Sequence, residues 1–256
     1  MTFPCQVGEL AVFIVVPAFN EAPRIARTLA EIPTWVDEII VVDDASTDGT
    51  RDAIQKDART TLLVHERNRG VGAAIATGYA HARERAARGT QKNVRDVIVV
   101  MAGDGQMDPA DLPALLGPIA SDEADYVKGD RFRHPDVRAR MPKGRYLGGQ
   151  VFSRLTSMAI GVPISDSQCG YTAITREACA ALPLDALWPG FGYPNDLLSH
   201  LALAGARIAH VTVVPRYGDE QSKLRLRHLP RIGFLVARAF VRRLAGGKPG
   251  GRENGM

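Results

Sequence analysis

Two side chains with oxygen ligands, Asp104 and Gln106, follow an apolar run at residues 97–101. The run predicts a buried strand, and side chains two residues apart in an extended segment point the same way. Carboxylate and amide oxygens suit a hard divalent cation, Mg²⁺ or Mn²⁺, which in turn suits a diphosphate. The alternative is a strand-to-helix turn in which Asp104 only caps. Asp108 and Pro109 have the pattern of a helix start.

The elements that would position this pair alternate along the chain. Apolar runs at 12–16, 39–42 and 62–64 predict further strands, with helices over 21–32, after the turn at 45–49, and over 71–88. The second half adds strands at 126–129 and 208–214 and helices over 143–160 and 197–204. This alternation implies right-handed crossovers and a mostly parallel sheet flanked by helices, an α/β fold that binds ligands beyond the carboxyl ends of its strands.

Polar groups collect at four of those strand ends: residues 17–21, the pair Asp43 and Asp44, residues 68–72, and residues 104–106. Either aspartate can accept a hydrogen bond from a base or ribose, and the amides of Gly70 and Gly72 can approach phosphate oxygens at a helix start. Plainer roles exist, because the aspartates can bind turn amides and the glycines can serve only tight helix packing. The convergence of four such groups favours a nucleotide pocket.

Composition limits the class of protein. The chain has 256 residues, 45% hydrophobic and 23% charged, as is typical of a soluble globular protein. Its three cysteines form no CxxC pair, which argues against a disulfide framework or a zinc site. The first apolar run is too short for a signal peptide or a membrane span, so the sequence predicts a cytoplasmic location.

The C-terminal region is strongly basic, because residues 221–252 contain no Asp or Glu. Residues 230–244 have helical periodicity. Their expected apolar face comprises Ile232, Leu235, Val236, Ala239 and Phe240, with Arg231, Arg238 and Arg242 expected mostly opposite. We predict a basic amphipathic helix region over 221–245 that lies on an anionic membrane leaflet, and a disordered tail over 246–256. The alternative is a docked helix with a solvated basic face. No nucleic-acid motif is present, and a homo-oligomer is left open.

Seven stretches carry a resemblance that covers nearly the whole chain in order. They are VVPAFNE (15–21), VVDDASTDGT (41–50), NRGVGAAIATGYAHA (68–82), MAGDGQMDP (101–109), GDRF (129–132), SDSQCGYTAI (165–174) and DEQSKL (219–224). Together they resemble the motifs of the inverting family 2 glycosyltransferases of GT-A fold, and most of all the polyprenyl-phosphate group that includes dolichol-phosphate mannose synthase. The resemblance implies a single GT-A domain over 1–220 that uses a nucleoside-diphosphate sugar as donor.

The resemblance also implies roles for individual residues. Pro17, Phe19 and Glu21 would border the base and ribose, Asp43 would hold the nucleoside, and Asp104 and Gln106 would ligate the cation that carries the diphosphate. Asp166 would lie over the donor sugar, Arg131 and Arg145 could hold phosphate bidentately, and Ser222 and Lys223 would stabilise the leaving diphosphate. An Asx turn is the alternative for Asp166.

One position departs from the family pattern, because Ala102 stands where the family has the first Asp of its Asp-x-Asp motif. The missing carboxylate removes both a charge and an oxygen ligand. Three interpretations follow: a metal site with fewer protein ligands, cation-independent transfer helped by arginines, or a decayed enzyme.

The acceptor side depends on Asp196, which lies where relatives that glycosylate hydroxyls place a general base. A neutral alcohol must lose its proton as it attacks, whereas an anionic phosphate needs no base. Asp196 could instead orient the acceptor, bind a sugar hydroxyl or cap a helix. We expect transfer of a hexose, with inversion, to polyprenyl phosphate at the cytoplasmic membrane face. The alternatives are a hydroxyl acceptor such as a glycan with Asp196 as base, a non-catalytic nucleotide-sugar binding module, and a sugar-phosphate nucleotidyltransferase.

Overall fold

The computed structural model describes residues 10–54, 58–89, 94–216 and 229–246. Its strands are β1 (Leu10–Ala18), β2 (Glu38–Asp43), β3 (Thr60–Val64), β4 (Arg95–Val100), β5 (Tyr126–Asp130), β6 (Thr172–Thr175) and β7 (Ile208–Thr212). Its α-helices are α1 (Ile25–Ala30), α2 (Thr50–Ala53), α3 (Val71–Gly89), α4 (Leu112–Ala120), α5 (Val137–Arg140), α6 (Lys143–Ile160), α7 (Arg176–Ala180), α8 (Tyr193–Leu203) and α9 (Leu229–Gly246).

The strands form one sheet in the order β3-β2-β1-β4-β6-β5-β7. Strand β1 pairs in parallel with β2 and β4, β2 pairs in parallel with β3, and β5 pairs in parallel with β7. Only β6 runs antiparallel to its neighbours, β4 and β5, within the described ranges. The predicted α/β fold with a mostly parallel sheet is therefore confirmed.

Strand β6 has no counterpart among the predicted strands, because four residues are too few to show a period. Its first residue, Thr172, pairs with Val100 at the carboxyl end of β4. The antiparallel direction therefore brings the loop that precedes β6 beside Asp104 and Gln106. A parallel strand at that position would have placed the loop at the opposite edge of the sheet.

Both faces of the sheet are covered, as the continuous apolar runs of β1, β2 and β4 predict. Val12, Ile14 and Val16 of β1 pack on one face with side chains of α1 and α4. Phe13 and Val15 pack on the other face with side chains of α3, α6, α8 and α9. The loops at the carboxyl ends of these strands are thus held by a core on each side.

Several predicted boundaries change. Helix α1 begins at Ile25 rather than at Glu21, whose carbonyl accepts the amides of Arg24 and Ile25 in a preceding turn. Helix α6 has the predicted bounds, and α8 begins four residues before the predicted start at 197. Asp108 caps a 3-10 turn over Pro109–Asp111 through the amide of Ala110, at 2.9 Å, so the predicted cap is confirmed.

Helix α9 is present, but the predicted orientation of its faces is wrong. Leu235 and Ala239 are buried as expected, whereas Phe240 is exposed. Arg238 and Arg242 point into the protein and bind Asp196, 42 and 46 residues earlier in the chain.

No helix among the described residues is long and apolar enough to cross a membrane. Ser222, Lys223, the predicted domain boundary after residue 220 and residues 247–256 of the predicted tail lie outside the described residues.

Candidate functional site

The loops after β1, β2 and β4 meet at one edge of the sheet. The amide of Gly103 donates to the carbonyl of Pro17 at 3.2 Å, which joins the loop after β4 to the end of β1. The amide of Glu21 donates to Thr50 Oγ1 at 2.8 Å, and that of Asn20 donates to Ser46 Oγ at 2.9 Å. The structure thus brings together three of the four predicted groups. Pro17 and Glu21 are buried at this edge, and Phe19 is partly exposed.

The two aspartates after β2 have different surroundings. The buried carboxylate of Asp43 accepts the amide of Ser46 at 3.2 Å and binds Arg51 Nε at 2.5 Å. Arg51 is partly exposed, with 44% of its side-chain surface accessible. This ion pair lies at the edge of the sheet where the sequence predicts the nucleoside.

Asp44 organises the remaining predicted group, residues 68–72, from inside the protein. Its carboxylate accepts the amides of Arg69 at 2.8 Å and Gly70 at 2.7 Å, and it contacts His65 Nδ1 at 2.7 Å. All these partners are within the chain, and the carboxylate is buried. Asp44 therefore shapes the loop over 68–72, in the manner of the plainer alternative that the sequence left open.

The two glycines expected to approach phosphate are packed against another part of the chain. The amide of Gly72 donates to the carbonyl of Pro189 at 2.7 Å, and Gly70 donates to Asp44. Gly70 has a φ of +94°, and a Cβ on Gly72 would overlap the carbonyl oxygen of Trp188. Both amides are engaged within the chain, which favours the tight-packing alternative over the phosphate role.

Asp104 and Gln106 are partly exposed in the loop after β4. Asp104 Oδ1 accepts the amide of Gln106 at 3.0 Å, in a turn where Gly105 has a φ of +76°. Within the described ranges, no three His, Cys, Asp or Glu side chains are grouped to hold a metal ion. One carboxylate and one amide oxygen still suit a Mg²⁺ or Mn²⁺ that takes its remaining ligands from phosphates and water, which is how Mg²⁺ is commonly bound.

A pocket next to this loop is lined by Gln106, Met107, Arg131, Cys169, Gly170, Tyr171, Val213, Val214 and Arg216. Arg216 was given no role from the sequence, although it follows the last predicted strand directly. Its guanidinium binds Asp108 at 2.5 Å and Glu31 at 3.1 Å. The hydroxyl of Tyr171 donates to the carbonyl of Asp108 at 3.0 Å. Two cationic side chains, Arg131 and Arg216, thus line the pocket.

Arg131 and Asp166, both predicted site residues, bind each other. Arg131 Nε lies 2.7 Å from Asp166 Oδ2, and Arg131 Nη2 lies 3.0 Å from Asp166 Oδ1. Burial would raise the pKa of Asp166, but the hydrogen bonds and charge of Arg131, together with the charge of Lys128, outweigh burial and hold the pKa below its usual range. Arg131 thus makes a bidentate contact with a buried carboxylate, and its predicted contact with phosphate stays a prediction.

A buried lysine supports the same loop from the sheet. Lys128 of β5 is fully buried, and its Nζ donates to the carbonyl oxygen of Cys169. Burial lowers the pKa of Lys128. The sequence predicted the strand but assigned Lys128 no role. The sequence feature that could have indicated this role is the position of Lys128 inside a predicted strand, next to Tyr126 and Val127.

Asp196 lies in the first turn of α8 and is 1% exposed. Its carboxylate accepts the amide of Trp188 at 2.9 Å, binds Arg242 Nη1 at 2.6 Å and binds Arg238. Burial would raise the pKa of Asp196, but the hydrogen bonds from Arg238, Trp188 and Arg242 outweigh burial and lower it. The capping alternative is wrong, because the N-cap of α8 is Gly192. Arg145, in the first turn of α6, is half-buried.

Comparison with known proteins identifies the group to which this architecture belongs. The family model described as glycosyl transferase family 2 matches residues 13–182. An undecaprenyl-phosphate mannosyltransferase of Micrococcus luteus is 30% identical over 211 residues, which are 80% of this chain and 83% of that protein. A UDP-N-acetylglucosamine–dolichyl-phosphate N-acetylglucosaminyltransferase of Methanococcus voltae is 29% identical over 193 residues, 69% of this chain and 74% of that protein.

Solved structures share the fold. Mannosyl-3-phosphoglycerate synthase from Rubrobacter xylanophilus superposes with a TM-score of 0.66 at 21% identity, covering 96% of this chain and 78% of that one. Glucosyl-3-phosphoglycerate synthase from Mycobacterium tuberculosis, in complex with Mn²⁺, UDP and phosphoglyceric acid, gives 0.62 at 20% identity, covering 95% and 81%. The predicted GT-A glycosyltransferase fold is confirmed, and the chain belongs to glycosyl transferase family 2.

Proposed function

We propose that this enzyme transfers a hexose, with inversion, from a nucleoside-diphosphate sugar to polyprenyl phosphate at the cytoplasmic face of a membrane. The observation that carries the choice of acceptor is the state of Asp196. Two guanidinium groups and an amide engage its buried carboxylate, and its pKa is lowered. Such a carboxylate is a poor general base. A hydroxyl acceptor would need that base, whereas a phosphate acceptor does not.

The donor would lie at the sheet edge formed by the loops after β1, β2 and β4. Glu21 and Asp43 border that edge, and the Arg51 guanidinium beside Asp43 is accessible. Asp104 and Gln106 would hold a Mg²⁺ or Mn²⁺, which neutralises charge on the diphosphate when bound. The solved relative from M. tuberculosis was crystallised with Mn²⁺ and UDP, which supports this assignment.

The acceptor and the leaving group are assigned by charge. An acceptor phosphate is already anionic at neutral pH, so the chain needs only to position its oxygen in line with the anomeric carbon. Negative charge grows on the departing diphosphate, and Arg216 at the pocket is a cation that could stabilise it. The names of the Micrococcus and Methanococcus relatives support a polyprenyl-phosphate acceptor.

The first experiment screens radiolabelled nucleotide sugars against polyprenyl phosphate, with and without Mn²⁺. We expect label in the lipid product, loss of transfer with EDTA, and loss with Asp104→Ala. Donor binding without transfer or hydrolysis for every sugar tested would favour the non-catalytic binding module. Release of pyrophosphate would instead indicate a nucleotidyltransferase.

A matched pair of variants tests the role of Asp196. Asp196→Asn and Arg242→Gln break the same ion cluster from opposite sides. If Asp196 only holds α9, both variants should lower kcat by a similar factor, below about tenfold. A general base would make Asp196→Asn lower kcat by roughly 10²–10⁴ while Arg242→Gln does not. That result would reject the phosphate acceptor in favour of a hydroxyl acceptor.

A further inference from the structure

Helix α6 exposes a continuous apolar stripe. Its members are Leu147, Val151, Leu155 and Met158, and Met158 is 70% exposed. Their spacing of four, four and three residues places them on one side of the helix. The opposite side is buried through Ser153, Thr156, Ala159 and Ile160. The sequence alone does not reveal this stripe, since only the structure shows which side of α6 faces the core.

Helix α9 exposes apolar side chains as well, because its arginines are turned inward. Phe234, Phe240, Val241 and Leu244 are exposed, and Leu244 is 69% exposed. Arg238 and Arg242 bind the buried Asp196 on the protein side instead. The ion cluster thus sets the rotation of α9, which buries Leu235 and leaves Phe234, Phe240, Val241 and Leu244 exposed.

The two stripes lie on neighbouring helices that contact each other. Arg243 of α9 donates to the carbonyl of Met158 at 3.0 Å, and its guanidinium packs over Gly161 at the end of α6. We define the α6–α9 face as the eight exposed apolar residues Leu147, Val151, Leu155, Met158, Phe234, Phe240, Val241 and Leu244. Single exposed apolar residues are common, but eight on two adjacent helices indicate an interaction surface.

Charge selects the occupant of this face. Neither α6 nor α9 contains an Asp or Glu, and Lys143 and Arg154 are exposed on α6. A second copy of the chain would bring like charges together across a two-fold axis. An anionic bilayer attracts the same charges. Exposed apolar residues flanked by Lys and Arg side chains are typical of helices that lie in a membrane interface.

We propose that the α6–α9 face is the surface through which this protein lies on an anionic lipid bilayer. The proposal rests on the membrane location proposed above and names the surface responsible. The start of α6 lies near the pocket, because Tyr146 packs edge-on against Phe132 at 5.4 Å between ring centroids. Phe132 follows Arg131, which lines the pocket. A bilayer on this face would hold a lipid phosphate close to that end of the pocket.

Flotation of the purified chain with vesicles tests the face. The vesicles contain phosphatidylcholine alone or with phosphatidylglycerol. Leu155→Glu, on the face, is matched with Leu203→Glu on α8, since the two leucines are 44% and 37% exposed. We expect binding only to the anionic vesicles, a loss of roughly tenfold or more in affinity with Leu155→Glu, and little change with Leu203→Glu. Met158→Glu is a second variant at a more exposed site, should Leu155→Glu fail to fold.

Two further measurements separate this proposal from the proposed function. Transfer to a water-soluble, short-chain polyprenyl phosphate should survive Leu155→Glu, while transfer to a long-chain polyprenyl phosphate embedded in vesicles should fall. Binding that is equal in Leu155→Glu and Leu203→Glu would overturn the α6–α9 face, even if transfer occurs. Face-dependent flotation without any transfer would leave the face standing and reject the function. A dimer in sedimentation that Leu155→Glu dissociates, without vesicle binding, would replace the bilayer with a second copy.

Discussion

Replacing Asp196 with Asn removes the charge that Arg238 and Arg242 share while keeping the size of the side chain. The amide oxygen of Asn can still accept the amide of Trp188, so the change isolates the ion cluster. Removing one partner of a fully buried ion pair costs about 3–5 kcal/mol. Here the arginine side chains are 29% and 26% exposed, so water replaces part of the lost interaction. We expect a loss of about 2–3 kcal/mol in the free energy of unfolding.

Thermal and urea unfolding at pH 7 measure this loss directly. For a chain of this length, each kcal/mol lowers Tm by about 2–4 °C, so the expected decrease is about 4–12 °C. Asp136→Asn is the control, because Asp136 and Arg140 form an exposed pair at 3.6 Å. That pair should contribute less than about 1 kcal/mol.

The pH dependence gives an independent test of the same reasoning. Because the pKa of Asp196 is lowered in the folded protein, its contribution is fully present above the ordinary aspartate pKa. The contribution is lost as the pH falls through the lower folded pKa. The difference between wild type and Asp196→Asn should therefore be constant near neutrality and shrink below about pH 4. Equal unfolding free energies at pH 7, or a difference that persists in acid, would refute the ion-cluster account.

Three further predictions concern the sheet edge. Gly72→Ala should destabilise the protein by about 1–3 kcal/mol in urea unfolding, because the added Cβ meets the carbonyl of Trp188. The control, Gly148→Ala, adds a Cβ with no atom within 4 Å and should stabilise the protein by about 0.5–1 kcal/mol. Equal effects of the two substitutions would contradict the packing role of Gly72. Asp44→Asn should lower the free energy of unfolding by about 1–3 kcal/mol, since an amide NH₂ would face backbone N–H donors. An unchanged unfolding midpoint would argue against this structural role of Asp44. Ala102→Asp should tighten Mn²⁺ binding measured by calorimetry, and unchanged affinity would indicate that Asp104 does not bind a cation.

Local patterns determined much of the fold. The strands β1, β2 and β4 follow from apolar runs because a strand buried on both faces needs no alternation. The bounds of α6 and the cap at Asp108 follow from interactions between residues close in sequence. The resemblance to the family rests on the order of the motifs along the chain, which the sequence shows even though Ala102 replaces the first Asp of one motif.

Tertiary structure alone decided how the polar groups are used. An amphipathic pattern shows which residues share a side of α9, but not which side docks. That choice depends on a buried carboxylate in α8, which attracts Arg238 and Arg242 inward. The guanidinium of Arg131 can likewise bind a phosphate or a carboxylate, and the sequence does not show which. The fold places Asp166 beside it. A side chain's chemistry is local and can be read from its type, whereas its partner depends on which distant segments the sheet brings together.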